Sequence, residues 1–395
     1  MNAQQQSRNA NAQRPTVKVA GWVDRLGGWI ERHQRLSIAL GNWETGLLAD
    51  RLRNTAPDNP IYIAGLARSG STILLELLSR HPDLATHRYR DFPPVFTPWL
   101  WNWFVDRAAT APERPAERAH KDRLVVTAES PEAFEEPLWM AFFPHLHNGG
   151  NETLDRSTVN PAFERFYRDH MRKLLLVRGG SRYLAKANYN VTRLAYLLKL
   201  FPQARFVVPI RDPVWHVASL MKQHALFCRE QNNDPRIVDH LRRTGHFEFG
   251  PGRRAVRIDE GGAAEVVESL WARGEEVAGW AELWNGIYGH VNDLLSSDAA
   301  LRSAVMVVRY EDLCARPRRT VADIIEHCGI TDETLPALAE KRLSAPTYYQ
   351  PDFGDDQRRE ILRRTAGTAR AFGYDSPRRQ TNARAPDALV EGAGR

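Results

Sequence analysis

Hydrophobic positions near the start of the chain follow a helical period. Over residues 17–52, apolar and aromatic side chains recur at steps of three and four, as on the buried face of an amphipathic helix. These positions are Val19, Trp22, Val23, Leu26, Trp29, Ile30, Leu36, Leu40, Trp43, Leu47 and Leu48. We therefore predict an N-terminal helical arm over residues 16–55, packed on the body of the protein. Helices that lie on a membrane surface or form a homodimer are the alternative interpretation.

Further along the chain, short apolar runs alternate with helical stretches. Residues 61–64 form an apolar run that ends at a glycine-containing turn, and leucines then recur at helical spacing over residues 72–80. Similar runs occupy residues 183–185, 204–210 and 304–308. Strands that alternate with helices are typical of a parallel sheet covered on both faces. The pattern predicts an α/β domain with three layers over residues 56–375.

Four stretches depart from this alternation. Residues 91–160 are irregular and rich in proline and tryptophan, and we interpret them as a helical insertion over the sheet. The polar stretch at 228–262 indicates a mobile lid. The tails, residues 1–15 and 376–395, have the polar composition of disordered segments and are not expected to carry chemistry.

Composition and charge exclude several functional classes. The chain has 395 residues, with 54 Lys and Arg against 48 Asp and Glu, a net charge of +6 spread over both signs. Such a mild excess suits an anionic small ligand and falls short of a nucleic-acid-binding stripe. No run approaches the roughly 18 to 20 apolar residues of a membrane span, and the N-terminus lacks the apolar core of a signal peptide. We expect a cytoplasmic protein without stable membrane insertion or a nucleic-acid partner.

Cysteine and histidine spacing gives no sign of a metal centre. The three cysteines, Cys228, Cys314 and Cys328, are far apart and form no C-x-x-C pair. Histidine ligand motifs such as H-E-x-x-H do not occur among the 13 histidines. We therefore expect inert thiols and no metal cofactor.

A glycine-containing loop follows the first predicted strand and opens the next predicted helix. It reads Gly65-Leu66-Ala67-Arg68-Ser69-Gly70-Ser71-Thr72. Backbone N–H groups in such a loop can converge on an anion at the helix N-terminus. The glycine spacing matches the phosphate loop G-x-x-x-x-G-K-[ST], but Ser71 stands where a nucleoside triphosphatase has its lysine. A phosphate loop with Arg68 and without that lysine favours a nucleotide with a 5′ anion and no triphosphate chain.

A second cluster follows the apolar run at 204–210. Arg211 directly follows that run and Ser219 comes eight residues later, about two helical turns on. A guanidinium at a strand end and a hydroxyl on the next helix can both turn toward one phosphate. The alternative is that Arg211 only pairs with Asp212 or caps a helix.

Together, these two motifs resemble those of a known family. The loop at 65–72 and the run Phe201-Pro202-Gln203-Ala204-Arg205-Phe206-Val207-Val208-Pro209-Ile210-Arg211-Asp212-Pro213, with Ser219, resemble the 5′-phosphosulfate and 3′-phosphate motifs of sulfotransferases that use 3′-phosphoadenosine 5′-phosphosulfate (PAPS). The bacterial branch related to the tyrosylprotein enzymes is most similar. Lys186, the run at 309–313 and Phe372-Gly373-Tyr374 agree with it, so the resemblance covers residues 60–375. It implies a fold like that of P-loop-containing nucleoside triphosphate hydrolases.

The resemblance also implies roles for individual residues. The 5′-phosphosulfate would be held by Arg68, Ser69, Gly70, Ser71 and Thr72, and the 3′-phosphate by Arg211 and Ser219. Lys186 would stand near the oxygen that bridges phosphate and sulfate, where a cation stabilises charge on the departing bisphosphate. An exposed surface lysine is the alternative for Lys186. The implied reaction is an in-line transfer of a sulfuryl group to a hydroxyl or amine, without a metal.

The base for the acceptor proton does not carry over from the family. Many cytosolic relatives have a histidine two positions after the lysine, and this chain has Asn188 there; the glutamate of the tyrosylprotein-type enzymes is also missing. Asp91 and His120 are the candidates in the catalytic set, and a glutamate of the pair 135–136 is a further one. The alternatives are an ion pair of Asp91 with a neighbouring arginine, and a helix cap or solvated face for the glutamates.

The acceptor class is indicated only by aromatic residues of the predicted insertion, which would line a pocket for a small apolar or glycan acceptor or form the insertion's own core. They are Phe96, Trp99, Trp101, Trp103, Phe104, Trp139, Phe142 and Phe143.

Two rival functions remain. One is a P-loop kinase, which Ser71 disfavours; the other is a non-catalytic nucleotide-binding protein that keeps the fold without turnover.

Overall fold

A five-stranded parallel sheet forms the centre of the computed structural model, which describes residues 19–108, 116–117, 125–258, 262–344 and 350–374. Its strands lie in the order β2–β5–β1–β6–β7. Their bounds are β1 Ile61–Ala64, β2 Leu84–Ala85, β5 Arg182–Ala187, β6 Arg205–Ile210 and β7 Val305–Arg309. A short antiparallel pair, β3 Ala116–Glu117 and β4 Val125–Val126, lies apart from this sheet. The runs predicted at 61–64, 183–185, 204–210 and 304–308 are therefore strands.

Helices follow or connect these strands. In chain order they are α1 Gly21–Arg32, α2 Gln34–Leu47, α3 Ala49–Leu52, α4 Ser71–Leu78, α5 Pro98–Ala108, α6 Glu136–Phe142, α7 Pro161–Arg178, α8 Leu194–Leu200, α9 Pro213–Asn233, α10 Arg236–Thr244, α11 Ala263–Ala272, α12 Glu276–Ser297, α13 Ala299–Ala304, α14 Tyr310–Ala315, α15 Pro317–His327, α16 Thr334–Arg342 and α17 Asp355–Ala371. Two 3₁₀ turns, Tyr89–Asp91 and Asn188–Thr192, lie between them.

Alternate residues of β1 enter two separate hydrophobic clusters. Tyr62 and Ala64 belong to the larger cluster, which also includes residues of α7, α8 and α12. Ile61 and Ile63 belong to the smaller one, formed with α4, α15 and α16. A strand buried on both sides requires helices on both faces of the sheet. This arrangement confirms the predicted α/β fold with a central parallel sheet.

The strand register brings the carboxyl ends of three neighbouring strands to one edge. Ile63 is paired with Lys186 of β5 on one side and with Val207 of β6 on the other. At the end of β6, Ile210 is paired with Arg309 of β7. Ligands of open α/β sheets bind beyond this edge, so the segments that follow β1, β5 and β6 are in the position to form a site.

Helices α1 to α3 pack on the body of the protein. Lys173 of α7 forms a buried ion pair with Glu44 of α2, with 3.0 Å between Nζ and Oε2. Gly41 lies so close to the Phe166 ring that an added Cβ would be 2.7 Å from it. The domain boundaries remain predictions, and the predicted disordered tails, 1–15 and 376–395, lie outside the described residues.

The segment predicted as a mobile lid, 228–262, is partly helical, and its mobility stays a prediction. Helix α9 continues to Asn233 and α10 occupies Arg236–Thr244, while residues 259–261 lie outside the described part of the chain. Arg243 of α10 forms an ion pair of 2.6 Å with Asp24 of α1 and a second one with Glu31. The polarity that indicated a loop therefore comes from charges that join this segment to the arm. Within the described residues, we find no helix both long and apolar enough to cross a bilayer.

Candidate active site

The loop between β1 and α4 contains two residues with a left-handed backbone. Gly70 precedes α4 with φ of 104°, a left-handed conformation that glycine adopts without cost. Arg68 also has a positive φ, 70°, which is uncommon outside glycine and is often found at functional sites. At Gly65 the loop passes so close to β6 that an added Cβ would be 2.9 Å from the Pro209 carbonyl oxygen. The local geometry thus aims the start of α4 at the carboxyl edge of the sheet.

The structure brings the two predicted phosphate motifs into contact. Arg68 Nε donates to Ser219 Oγ of α9 at 3.4 Å, across 151 positions of the sequence. Arg211, directly after β6, is 7% exposed, and its guanidinium lies 4.8 Å from the ring centre of Tyr310. Within the described part of the chain, Arg211 Nε is buried and has no hydrogen-bond partner. Two guanidinium groups and a hydroxyl therefore gather beside the glycine loop, which suits an anionic ligand.

A neutral histidine forms a hydrogen bond with the backbone of the glycine loop. His216 Nε2 donates to the Ala67 carbonyl oxygen at 2.9 Å. Complete burial lowers the pKa of His216 to about 3, so the ring is neutral and can serve as a donor at physiological pH. His216 lies on α9 between Arg211 and Ser219, so one helix joins the glycine loop to the second motif. Sequence analysis did not single out His216, although its place three residues before Ser219 was a usable signal.

Tyr374, the last described residue, is joined by hydrogen bonds to the segment that follows β6. Tyr374 Oη donates to Glu311 Oε2 at 2.7 Å, and Glu311 Oε1 accepts from the Asp212 backbone N–H at 3.0 Å. Asp212 in turn caps α9 by accepting from Val214 N at 3.0 Å. These bonds explain why the motif at 372–374 accompanies the phosphate motifs. They fix the backbone on which Arg211 is carried.

Lys186 lies at the same edge of the sheet. It occupies the next-to-last position of β5, paired in register with Ile63, two residues before the glycine loop. Its side chain is largely buried, which argues against the alternative of an exposed surface lysine. Position and burial thus agree with a role beside the loop.

Asp91 does not suit the role of catalytic base. Its carboxylate accepts two hydrogen bonds from Arg178 Nη2, at 2.5 and 2.6 Å, and one from Asn102 at 2.9 Å. Burial by itself would raise its pKa, but the hydrogen bond from His87 and the charge of Arg178 hold that pKa far below its ordinary value. The structure supports the alternative role, a buried ion pair, formed with Arg178. His120, the other base candidate, lies outside the described residues.

The two neighbouring glutamates also have structural partners. Glu135 is buried and accepts hydrogen bonds from the hydroxyls of Tyr167 and Tyr183, the latter at 2.6 Å. Glu136 accepts a two-pronged contact from Arg193, at 2.7 and 2.8 Å, and a bond of 2.7 Å with His147. The alternative of a solvated face is therefore wrong for both glutamates. Their carboxylates accept hydrogen bonds from polar groups of the core.

A different carboxylate lies at the end of β5. The side-chain amide of Asn188, the residue directly after this strand, donates to Glu248 Oε1. Glu248 belongs to the segment that follows α10, and His246 Nδ1 lies 3.5 Å from its other oxygen. No sequence pattern pointed to Glu248, because only the fold brings positions 188 and 248 together.

A cavity of about 240 Å³ lies between the arm, the insertion and the segment after α10. Its apolar lining includes Ile30, Phe92, Phe96, Met140 and Phe247. The Phe247 backbone N–H donates to Tyr189 Oη at 3.1 Å, which joins this wall to the turn after β5. Of the aromatics predicted to line a pocket, Phe96 does so.

Most of the other aromatics belong to the core or the surface. Trp139 and Phe143 are buried against Phe163, with ring centres 4.4 and 5.1 Å away. Trp103 and Phe104 are exposed on α5. The alternative that these residues form the insertion's own core therefore holds for the two buried ones.

The site combines a glycine loop at the carboxyl edge of a parallel sheet with two arginines and a serine beside it. Residues 60–247 match the family model described as Sulfotransferase family. This confirms the resemblance to the PAPS-dependent sulfotransferase family. The matched segment contains both predicted phosphate motifs and Lys186. No curated protein matches the sequence significantly.

Solved structures with similar chains are bacterial sulfotransferases. Sulfotransferase STF9 from Mycobacterium avium aligns with 13% identity, covering 84% of this chain and 82% of its own, at a TM-score of 0.47. Sulfotransferase STF1 from Mycobacterium tuberculosis H37Rv aligns with 17% identity, covering 87% and 86%, at 0.44. The sulfotransferase domain of the Synechococcus PCC 7002 olefin synthase aligns with 16% identity, covering 82% and 98%, at 0.34.

Proposed function

We propose that this protein transfers a sulfuryl group from PAPS to a hydroxyl or amine of a small acceptor. The observation that carries the proposal is the contact of Arg68 with Ser219, which joins the glycine loop to the second phosphate motif beside Arg211. A loop in which Ser71 replaces the lysine suits a phosphosulfate better than a triphosphate. A second anion-binding group at Arg211 suits a nucleotide that also carries a 3′-phosphate.

Each motif would hold one end of the donor. The backbone of residues 68–72 and the Arg68 side chain would bind the 5′-phosphosulfate at the start of α4. Arg211 and Ser219 would bind the 3′-phosphate, since no described residue accepts a hydrogen bond from Arg211 Nε. The neutral His216 would keep the Ala67 carbonyl turned away from the anion. When bound, PAPS supplies the sulfuryl group and a bisphosphate leaving group.

Lys186 would act on the leaving group. Sulfuryl transfer needs in-line placement of donor and acceptor and stabilisation of charge that develops on the departing oxygen. Lys186 lies at the end of the strand that neighbours β1, so its ammonium is carried at the edge where that charge would develop. We assign Lys186 to stabilisation of the departing bisphosphate.

The acceptor would enter through the cavity beside α1 and α6. Its mostly aromatic and aliphatic lining favours a small acceptor with an apolar body. Three arginines also line its wall: Arg242 and Arg243 share ion pairs with Glu31, and Arg254 lies over the Phe247 ring. We therefore favour an alcohol or phenol whose apolar body contacts the aromatic and aliphatic lining.

Ligand-induced stabilisation tests the donor site. We expect 3′,5′-adenosine bisphosphate at about 100 times its Kd to stabilise the fold by about 2.7 kcal/mol, a Tm increase of about 3 °C for a chain of this size. 5′-AMP at the same concentration should raise Tm less, because it leaves Arg211 and Ser219 unused. A larger shift with ATP and Mg²⁺ would instead favour the kinase, and tight bisphosphate binding without sulfate transfer would favour the non-catalytic protein.

A further inference from the structure

The end of β5 places two side chains on the same side of the chain. Side chains two positions apart on an extended strand point to the same face. Lys186 and Asn188 have this spacing, and the residue between them, Ala187, is extended with φ of −147° and ψ of 133°. Asn188 donates to Glu248 Oε1, so the Glu248 carboxylate is held on the side of the strand from which Lys186 projects.

The residues just before Glu248 are held in place by two sets of contacts. Gly245 ends α10 with φ of 78°, and an added Cβ there would be 2.2 Å from the Glu136 side chain. Only glycine fits that turn, which directs the following residues back toward β5. Phe247 is held through its backbone N–H by Tyr189 Oη, and its ring stacks on His147 at 4.5 Å. These contacts therefore fix the position of the backbone that carries the Glu248 carboxylate.

The partners of Glu248 leave it able to accept a proton. Asp91 and Glu136 each neutralise a buried arginine, so protonation of either would leave an unpaired buried charge. Glu248 is bound by an amide and an imidazole, and its side chain is 10% exposed. Burial by itself would raise its pKa, but the hydrogen bonds from His246 and Asn188 lower it, which keeps the group ionised. Its neighbour Phe247 lines the cavity assigned to the acceptor.

We propose that Glu248 is the catalytic base, positioned by Asn188 and His246. This inference rests on the proposed function. The acceptor O–H bond breaks and its proton passes to a Glu248 carboxylate oxygen. The acceptor oxygen forms a bond to sulfur as the bond from sulfur to the bridging phosphate oxygen breaks, and 3′,5′-adenosine bisphosphate leaves with that electron pair beside Lys186.

The test compares acceptors that differ in acidity. Single-turnover transfer from PAPS is measured with 2-phenylethanol and with 4-nitrophenol, in wild type, Glu248→Gln, Glu248→Asp and the exposed control Glu275→Gln. Glutamine keeps an oxygen for the Asn188 hydrogen bond but cannot take a proton. We expect Glu248→Gln to lower the rate about 100-fold or more with the alcohol and much less with the acidic phenol. Glu248→Asp should restore part of the rate, and the control should behave as wild type.

Binding separates this inference from the proposed function. The Tm increase caused by 3′,5′-adenosine bisphosphate should be the same in Glu248→Gln and wild type. An unchanged rate in Glu248→Gln, or an equal loss with both acceptors, would overturn the assignment of the base while sulfate transfer by the wild type upholds the function. A wild type that binds the bisphosphate but transfers sulfate to neither acceptor would contradict the function itself.

Discussion

Two regions of this protein are rich in buried charge, but they differ in how that charge is balanced. In the phosphate edge, which comprises residues 65–72 and 211–219, two arginines lie beside a glycine loop, and Arg211 Nε has no hydrogen-bond partner among the residues that the structure describes. In the insertion network, which comprises Asp91, Glu135, Glu136 and their partners, carboxylates meet arginines, a histidine and tyrosines inside the core. Buried charged groups of the insertion network thus satisfy one another, whereas the Arg211 guanidinium has an N–H group to offer a ligand.

The strongest test of this comparison removes a carboxylate from the insertion network. We expect Asp91→Ala to lower the free energy of unfolding by about 3 to 5 kcal/mol, because Arg178 would remain buried without its partner. Urea denaturation measures the loss. The exposed Asp50→Ala variant, which removes a surface pair with Arg53, should unfold like wild type. If Asp91→Ala instead lost turnover while its free energy of unfolding stayed unchanged, Asp91 would again be a candidate for the catalytic base.

At the phosphate edge the largest effect should be kinetic. We expect Lys186→Ala to lower the single-turnover rate about 100-fold, the effect of losing one group that stabilises developing negative charge. Affinity for the bisphosphate should fall much less than the rate. Rapid quench of PAPS turnover and calorimetric titration of the bisphosphate separate the two quantities. If affinity fell and the rate did not, Lys186 would belong to ground-state binding.

The two arginines should affect binding and leave stability nearly unchanged. We expect Arg68→Ala and Arg211→Ala each to weaken bisphosphate binding by about 1.5 to 3 kcal/mol, the cost of a lost charge-assisted hydrogen bond. Calorimetric titration at fixed salt measures this change. 5′-AMP provides an internal control, since Arg211→Ala should weaken its binding less than that of the bisphosphate. Equal affinity in wild type and both variants would refute the assignment of the site.

The smallest expected effect is a pH dependence in the insertion network. Burial by itself would lower the pKa of His147, but hydrogen bonds with Glu136 and Glu152 raise it from 6.5 to about 9. Because the pKa of His147 is raised in the folded state, protonation of its ring stabilises the protein in full below pH 6.5. This stabilisation is lost as the pH rises through about 9. We expect a loss of about 1 to 2 kcal/mol over that window, limited because Glu136 keeps Arg193. Denaturation of His147→Gln should show a flatter pH profile if this holds.

Local sequence patterns predicted the parts of the site that lie on single segments. The apolar run at 61–64, the glycines at 65 and 70 and the helix after them follow from neighbours in the chain, so strand, loop and helix were all predicted. Arg211 after an apolar strand was a local signal of the same kind. The polar segment at 228–262 showed no local sign of its contacts with the arm, because Arg243 pairs with Asp24 and Glu31, which lie far away in the sequence.

What the sequence by itself determined was the α/β class, the glycine loop between strand and helix, and the family resemblance, because each depends on motifs whose own residues are neighbours in the chain. The tertiary structure alone decided which charged groups are balanced. It paired Asp91 with Arg178, joined Arg68 to Ser219 and brought Glu248 to Asn188. Each of these contacts joins segments more than 50 positions apart, and electrostatic balance depends on distance in space, which local sequence patterns do not contain.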